Sequence, residues 1–214
     1  MSCGCDRAGY GKFFNRRFAR RVARKYRKRG LDAASQRIAD FVAAHGLEGA
    51  TVLEIGGGVG EIQVELLKAG AAHATNLELS PEYDGEARKL AEEAGVASRM
   101  ERRLHDIAAE PEPVEPADVV ILHRVVCCYP DYERLLGAAA DHARKLLVFS
   151  YPPRNVVSRA FMTMANAVQA LMRNDFRSFT HPPGAMLAVL DRRGLRRTYE
   201  HHGFVWQIAG LERG

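Results

Sequence analysis

A glycine-rich loop preceded by an acid is the segment best suited to bind a charged ligand. The run Val-Leu-Glu-Ile-Gly-Gly-Gly-Val-Gly places Glu54 ahead of Gly56, Gly58 and Gly60. Glycines allow positive φ angles and let a ligand approach the backbone amides closely. The loop does not match the dinucleotide fingerprint G-x-G-x-x-G, because its third glycine would fall on Glu61. A carboxylate at Glu54 would repel a pyrophosphate, so it favours a positively charged ligand, such as an ammonium with a sulfonium.

Two further acids follow at the ends of the next predicted strands. Glu78 ends the second strand, twenty residues after Gly58, where a carboxylate can accept hydrogen bonds from both hydroxyls of a ribose. Asp106, which follows the third strand, offers an acceptor for the amino group of an adenine. Because the carboxyl ends of parallel strands meet at one edge of a sheet, these acids predict a site for a cationic nucleoside.

With these residues the sequence resembles the class I S-adenosylmethionine-dependent methyltransferases. The resemblance covers about residues 32–214. It implies S-adenosylmethionine as cofactor and a transferase that moves its methyl group by in-line displacement. The implied cofactor residues are, for the methionyl part, Glu54, Gly56, Gly58 and Gly60; for the ribose, Glu78 and Leu79; for the adenine, Asp106 and Ile107; and, after the fourth strand, His123.

Alternating apolar strands and amphipathic helices predict an α/β fold. We expect a three-layer Rossmann-like sandwich with a mostly parallel seven-stranded sheet and a C-terminal antiparallel hairpin. The predicted strands are Thr51–Ile55, Ala74–Glu78, Arg99–Leu104, Ala117–Leu122, Leu146–Ser150, Leu195–Glu200 and Phe204–Gly210. The predicted helices are Tyr10–Arg29, Asp32–Ala44, Gly60–Ala69, one beginning at Pro81, Asp131–Ala143, Asn155–Met172 and Ala185–Arg193.

The charge of the chain is concentrated in its first thirty residues. Eleven of the 31 lysines and arginines lie in residues 1–30 beside one acid, Asp6, although the net charge of the chain is only +5. An apolar residue recurs every four positions in this arm, which predicts a helix that lies on the body as a lid. Its arginines could instead bind nucleic acid or anionic lipid, or face solvent without a partner. The apolar positions are Phe14, Phe18, Val22 and Tyr26.

The predicted organisation is a basic arm over residues 1–30 and a methyltransferase domain over residues 31–214, in which residues 152–184 form an inserted helical cap. The function expected from this organisation is methylation of a small molecule. The alternative is an RNA- or membrane-associated protein of methyltransferase fold that docks through the basic arm.

Candidate residues for the acceptor side lie after the fourth and fifth strands. His123 could act as a general base, or it could orient the cofactor or the loop backbone. Arg124 could pair with a substrate carboxylate or with a neighbouring acid. We predict catalytic roles for His123, Tyr129 and Tyr151. We also predict substrate contacts for Arg124, Arg154, His181 and Tyr26. The acceptor atom remains open between O, N, C and S.

The tripeptide Cys128-Tyr129-Pro130 is weakly similar to a segment of the magnesium-protoporphyrin methyltransferases. In those enzymes a histidine precedes Tyr-Pro, and Cys128 stands in its place here. This departure counts against magnesium protoporphyrin as the substrate of this chain.

The four cysteines form two close pairs, Cys3 with Cys5 and Cys127 with Cys128. Without a secretory signal they are not expected to form structural disulfides, and the chain is expected to be cytoplasmic. No apolar run is long enough to span a membrane. The pairs could meet to bind zinc or a soft ligand, or they could simply pack, so we assign no metal. The sequence predicts no oligomeric state.

Overall fold

A seven-stranded sheet lies at the centre of the fold, in the order β3-β2-β1-β4-β5-β7-β6. The computed structural model describes residues 7–214. Strands β1 to β5 are parallel, and β7 pairs antiparallel with both β5 and β6. The strands are β1 Thr51–Ile55, β2 His73–Glu78, β3 Met100–Leu104, β4 Ala117–Leu122, β5 Ala143–Tyr151, β6 Leu195–His202 and β7 Gln207–Arg213.

Eight α-helices accompany the sheet in the described part of the chain. They are α1 Arg7–Phe13, α2 Arg16–Arg29, α3 Ala33–Ala43, α4 Glu61–Lys68, α5 Asp84–Glu93, α6 Tyr132–His142, α7 Val156–Leu171 and α8 Pro183–Asp191. Helices α6 and α8 contribute to the core on one face of the sheet, and α3 and α4 contribute to the core on the other. The predicted three-layer sandwich with a C-terminal antiparallel hairpin is therefore confirmed.

Alternate residues of the central strands enter the two cores. In β4, Val120 and Leu122 face the α6 side, and Val119 and Ile121 face the α3 side. A strand that is buried on both faces needs a continuous apolar run, which is the pattern that made this strand recognisable from the sequence. The same burial fixes the register, because a shift by one residue would exchange the two faces.

The basic arm contains two helices where the sequence pattern predicts one. The break falls at Asn15, whose side chain accepts hydrogen bonds from the backbone N–H groups of Arg17 and Phe18. Asparagine is among the strongest helix N-caps because it satisfies donors that a helix start leaves unpaired. The second helix ends at Gly30, as the sequence predicts.

The last strand begins at Gln207, three residues later than predicted. The backbone N–H of Gly203 donates to the carbonyl of Trp206 at 3.2 Å, so these residues form the turn of the β6–β7 hairpin. Pairing of Gln207 with Tyr151 sets the start of β7 at the end of β5. The helix predicted from Pro81 begins with a 3-10 turn, Pro81–Tyr83, and continues as α5.

Candidate active site

A cavity opens at the carboxyl ends of β1, β2 and β4, beneath the basic arm. It measures about 1050 Å³, counted out to its open mouth. The glycine loop, Glu78, Asp106 and His123 line it from the body, and side chains of α1 and α2 line it from above. In open parallel sheets this edge, where the strand order reverses beside the first strand, is where ligands bind.

The glycine loop lies directly over the carboxylate of Glu54. Gly56, Gly58 and Gly60 have positive φ angles of 68°, 56° and 79°. A Cβ on Gly57 would lie 2.7 Å from the Glu54 carboxyl group, so a side chain there would displace a buried group. Only glycine at this position lets the loop fold down onto the acid.

Glu54 is only 2% exposed, and its Oε2 atom has no hydrogen-bond partner among the described residues. Burial raises the pKa of Glu54 well above its ordinary value, and repulsion from Glu61 adds to this effect. A buried carboxylate oxygen without a donor is costly unless a ligand supplies one. The residues present therefore fit a cationic group, such as the ammonium of S-adenosylmethionine.

Glu78 lies at the end of β2 and holds three backbone N–H groups. Its Oε2 accepts from Gly58 at 2.9 Å, and its Oε1 accepts from Leu79 at 2.8 Å and from Ser80 at 3.1 Å. Burial raises the pKa of Glu78 although these hydrogen bonds oppose the rise. Each carboxylate oxygen has more than one lone pair, so Glu78 can fix the loop and still accept hydrogen bonds from a ribose.

Asp106 follows β3 and caps a turn. Its Oδ1 accepts from the backbone N–H groups of Ala108 at 3.1 Å and Ala109 at 3.3 Å. The hydroxyl of Tyr129 donates to the same carboxylate, 3.1 Å from Oδ2. Asp106, Tyr129 and Ile107 all line the cavity, so Tyr129 lies at the end where the resemblance expects the adenine.

His123 lies at the end of β4 between two serines. Its Nδ1 is 2.9 Å from the hydroxyl oxygen of Ser150, and its Nε2 is 3.2 Å from that of Ser35. Burial lowers the pKa of His123 to about 3, and the positive charge of Arg124 adds to this effect. The imidazole is therefore neutral at physiological pH, and both of its nitrogens are engaged.

Arg124 adopts a positive φ of 62°, which is uncommon for a residue with a side chain. Its Nη2 donates to Asp32 at 2.7 Å, and its guanidinium lies 5.4 Å from the ring centre of Trp206. Burial alone would raise the pKa of Asp32. The hydrogen bond from Arg124 acts in the opposite direction, and the pKa of Asp32 lies well below its ordinary value. Arg124 lines the cavity and pairs with Asp32, which is the neighbouring acid considered for it, while its contact with a substrate stays a prediction.

The arm closes over the cavity with its aromatic side chains facing inward. Tyr10, Phe14, Phe18 and Val22 line the cavity. The hydroxyl of Tyr10 donates to the carbonyl of Cys128 at 2.6 Å, and the hydroxyl of Ser80 donates to the carbonyl of Phe14 at 2.9 Å. The arm therefore covers the cleft, and its action as a lid stays a prediction.

Five of the predicted residues do not line this cavity. Tyr26 donates to Glu65 of α4 at 2.5 Å and packs against the body away from the cavity. Tyr151 is 2% exposed in the core, and Arg154 is exposed to solvent. His181 lies 2.9 Å from the carbonyl of Tyr129, behind the cavity wall. Gly60 contributes indirectly, because it is the N-cap residue of α4.

The structure adds residues that the sequence reasoning did not select. Tyr83 lines the cavity, and Asp32 and Ser35 support Arg124 and His123 from α3 and its N-cap. Glu61 also lines the cavity, and burial raises its pKa. Glu61 could have been selected, since it is an acid directly after the glycine loop. No sequence signal links Asp32 and Ser35 to a strand end about ninety residues away.

The cysteine pair Cys127–Cys128 lies at the cavity wall, with its sulfur atoms 3.7 Å apart. Both thiols are free, and Cys128 lines the cavity. Cys3 and Cys5 lie outside the described residues. Across residues 7–214 no three His, Cys, Asp or Glu side chains are grouped closely enough to hold a metal ion.

A doubly wound sheet of this order, with a glycine loop over one acid and further acids after β2 and β3, defines the class I S-adenosylmethionine-dependent methyltransferases. A family model described as a methyltransferase domain matches residues 18–207, and the chain belongs to this family. No curated protein gives a significant match. Within the described residues, no helix is both long enough and apolar enough to cross a membrane.

Several solved structures share the fold. Magnesium protoporphyrin IX methyltransferase (ChlM) from Synechocystis PCC 6803, with bound SAH, is 19% identical with a TM-score of 0.74, over 95% of this chain and 97% of that chain. An O-methyltransferase family 2 protein from Planctomyces limnophilus DSM 3776, in complex with apigenin, is 20% identical with a TM-score of 0.66, over 93% of this chain and 62% of that chain. Mitomycin 7-O-methyltransferase MmcR is 25% identical with a TM-score of 0.61, over 89% of this chain and 57% of that chain.

Proposed function

We propose that the enzyme methylates a small, largely apolar ring compound held between the cofactor and the arm. One observation carries this proposal: the arm presents Tyr10, Phe14, Phe18 and Val22 to the cavity, whereas most of the arginines of α2 face solvent. Aromatic side chains bind flat apolar molecules by stacking and edge contacts. A nucleic-acid substrate would require cations along the path of its backbone, and these cations lie on the outside of the lid.

The similar structures support this class of acceptor. Two of them are named for magnesium protoporphyrin IX and mitomycin, and a third was crystallised with apigenin. All three compounds contain fused or conjugated rings. The departure at Cys128 argues against carrying over magnesium protoporphyrin IX in particular.

The cofactor supplies an electrophilic methyl group on a sulfonium, and the protein residues position it. We assign the ammonium of the methionyl part to Glu54, which has an unpaired buried oxygen. We assign the ribose to Glu78 and Leu79, and the adenine to Asp106 and Ile107. Tyr129 holds the Asp106 carboxylate, so we propose it as a positioning residue at the adenine end.

At the acceptor end we propose that His123 and Arg124 position the acceptor and exclude water. The low pKa of His123 makes it a weak base, so its role is to fix the strand end through Ser35 and Ser150. Arg124 can turn its guanidinium toward a polar substituent of the acceptor while it remains paired with Asp32. Alignment and desolvation are the main requirements for displacement at a sulfonium, whose leaving group is already good.

We propose that residues 1–30 act as the lid of a methyltransferase domain that spans residues 31–214. The ring contacts of Phe13 and Phe14 with Phe176 join this lid to the segment 152–184. Residues 152–184 thus contact the lid through Phe176, and none of them lines the cavity. The free thiols of the Cys127–Cys128 pair support a reducing compartment, and we propose the cytoplasm.

The experiment that tests this function uses S-adenosylmethionine with a labelled methyl group. The protein is incubated with an extract of the cells that naturally contain it, and the label is followed into small molecules, nucleic acid and protein. The proposal predicts label in the small-molecule fraction, at a rate lost in Glu78→Ala. Label confined to nucleic acid or protein would overturn it.

A further inference from the structure

Helix α7 turns its apolar face toward solvent. Six large apolar side chains of α7 are between 48% and 86% exposed, and Met172, directly after the helix, is 70% exposed. None of the residues of α7 is buried. The exposed apolar residues of the helix, which we call the outer stripe, are Val156, Val157, Phe161, Met164, Val168 and Leu171.

The polar side of the same helix faces the protein. Asn166 exchanges two hydrogen bonds with the backbone of Ser178, each 2.8 Å long. Gln169 accepts a hydrogen bond from Asn174, also at 2.8 Å. A surface helix of a globular protein normally has the opposite arrangement, with its apolar stripe on the core. The orientation of α7 is thus fixed by specific polar contacts, and its apolar stripe is presented outward.

A second apolar element lies at the same edge of the molecule. In the β6–β7 turn, Phe204 is 94% exposed and Val205 is 59% exposed. Gln207, at the start of β7, pairs with Tyr151, at the end of β5, so this turn lies beside the segment that leads into α7. Exposed apolar side chains on neighbouring segments are a feature of sites that interact with a membrane or a partner.

The charges around the outer stripe are all positive over a long segment. From Tyr151 to Asn174 the chain contains no Asp or Glu, and it contains exposed arginines at 154, 159 and 173. The first carboxylate beyond the segment is Asp175, after the helix. The stacked rings of Phe13 and Phe176, 4.3 Å apart, join the end of this segment to the basic arm, which carries further exposed arginines.

These observations discriminate between occupants of the stripe. Two copies of the chain packed through α7 would bring arginines together with no acid in the segment to pair with them. A nucleic acid would satisfy the arginines but would leave the apolar side chains in water. An anionic lipid surface satisfies both, because it takes apolar side chains into the acyl boundary and attracts the flanking cations.

We infer that α7 and the β6–β7 turn form a docking surface for an anionic lipid bilayer. The helix lies in the plane of the interface with its outer stripe among the acyl chains. Arg154, Arg159 and Arg173 contact the headgroups. The basic arm adds a second cationic element next to it. This surface is separate from the cofactor site, so the inference stands whether or not the acceptor proposed above is correct.

The test uses the full chain and vesicles of phosphatidylcholine, with or without about one third phosphatidylglycerol, in a flotation assay. The inference predicts that the protein binds the anionic vesicles at least about tenfold more tightly than the neutral ones. The double variant Phe161→Glu/Met164→Glu is expected to lose at least about tenfold of this binding, because it places two charges at the centre of the stripe. Leu104→Glu is the matched control, since Leu104 is also an exposed apolar residue, at 50%, and lies on the far edge strand β3. It should bind within about twofold of the wild type.

Three results would overturn the inference. The first is a wild type that floats with neither kind of vesicle, and the second is a Leu104→Glu variant that loses binding as fully as the double variant. Alternatively, light scattering after gel filtration finds a wild-type dimer that Phe161→Glu/Met164→Glu converts to monomer, in which case a second copy covers the stripe. Thermal unfolding and S-adenosylmethionine affinity, measured for each variant, verify that the fold is intact.

Discussion

Replacement of Glu54 by glutamine separates the affinity for the cofactor from the stability of the protein. The change keeps the shape of the side chain and removes its negative charge. If Glu54 receives the ammonium of the methionyl group, the variant loses one charge-assisted hydrogen bond, worth about 1.5–3 kcal/mol. The dissociation constant then rises by about 10- to 100-fold. S-adenosylmethionine and S-adenosylhomocysteine should be affected equally, because both carry the ammonium and only one carries the sulfonium.

The stability of the ligand-free protein should change in the opposite direction. Because burial raises the pKa of Glu54 in the folded state, the folded protein binds a proton more readily than the unfolded chain. Wild-type stability therefore falls as the pH rises from the ordinary carboxyl pKa of about 4.3 through the raised folded value. Glu54→Gln lacks this loss, so its melting temperature relative to the wild type should increase with pH.

Calorimetric titration with both ligands and thermal unfolding at several pH values measure these effects. Glu92→Gln, an exposed glutamate of α5, is the matched control and should change neither quantity. Unchanged affinity in Glu54→Gln would remove the ammonium assignment. A loss of affinity for S-adenosylmethionine alone would show that the carboxylate interacts with the sulfonium instead of the ammonium.

Three further changes test other parts of the site. Gly57→Ala should lower the free energy of unfolding by about 1–3 kcal/mol in urea titrations, because the new Cβ would lie 2.7 Å from the buried carboxyl group of Glu54. Gly85→Ala is the control, because a Cβ there meets open space and should leave the free energy of unfolding unchanged or raise it. Tyr129→Phe removes the hydroxyl that donates to Asp106. Calorimetry should show cofactor binding weakened several-fold, with kcat unchanged. An unchanged dissociation constant would refute the placement of Tyr129 at the adenine end. His123→Ala should lower kcat without a change in cofactor affinity. Since the pKa of His123 is about 3, the rate ratio of variant to wild type should be constant between about pH 6 and pH 8, and a pH-dependent ratio would indicate a general base.

The cofactor half of the site could be predicted because it depends on local sequence. Glu54 and Glu78 lie at the ends of recognisable strands and Asp106 shortly after one, and the glycines lie next to the first of them. Parallel pairing then brings the carboxyl ends of the strands together, and this does not depend on the conformation of the connecting loops. The buried central strands could be predicted for the same reason, since a continuous apolar run determines both burial and register.

The acceptor half could not be predicted, because it depends on contacts between distant segments. Asp32 and Ser35 reach Arg124 and His123 across about ninety residues. Spacing along the chain gave Tyr151 a role because it ends a strand. The strand, however, turns that side chain into the core.

Helix periodicity also misled at two places. Asn15 fits the four-residue pattern of the arm only as a polar position, yet its capping hydrogen bonds split the helix there. In α7 the periodicity predicts an amphipathic helix correctly but does not indicate which side faces the protein. That choice rests on Asn166 and Gln169, whose partners lie on the segment that follows the helix.

The hydrogen bonds that close the arm have a consequence for the catalytic cycle. Tyr10 is held by Cys128 and Phe14 by Ser80, with no salt bridge at either contact. Neutral hydrogen bonds thus close the arm over the cavity at Tyr10 and Phe14, whereas ion pairs hold it to the body at Arg16 with Glu82 and at Arg27 with Glu86 and Glu93. Opening the arm as a whole breaks both sets of contacts. Because neutral hydrogen bonds and ring contacts are little screened by ions, opening at Tyr10 and Phe14 alone should be nearly independent of ionic strength. Opening of the whole arm should become more frequent as salt rises, because exposed ion pairs are weakened by screening. The dependence of turnover on ionic strength therefore distinguishes a movement at the cavity mouth from a movement of the whole arm.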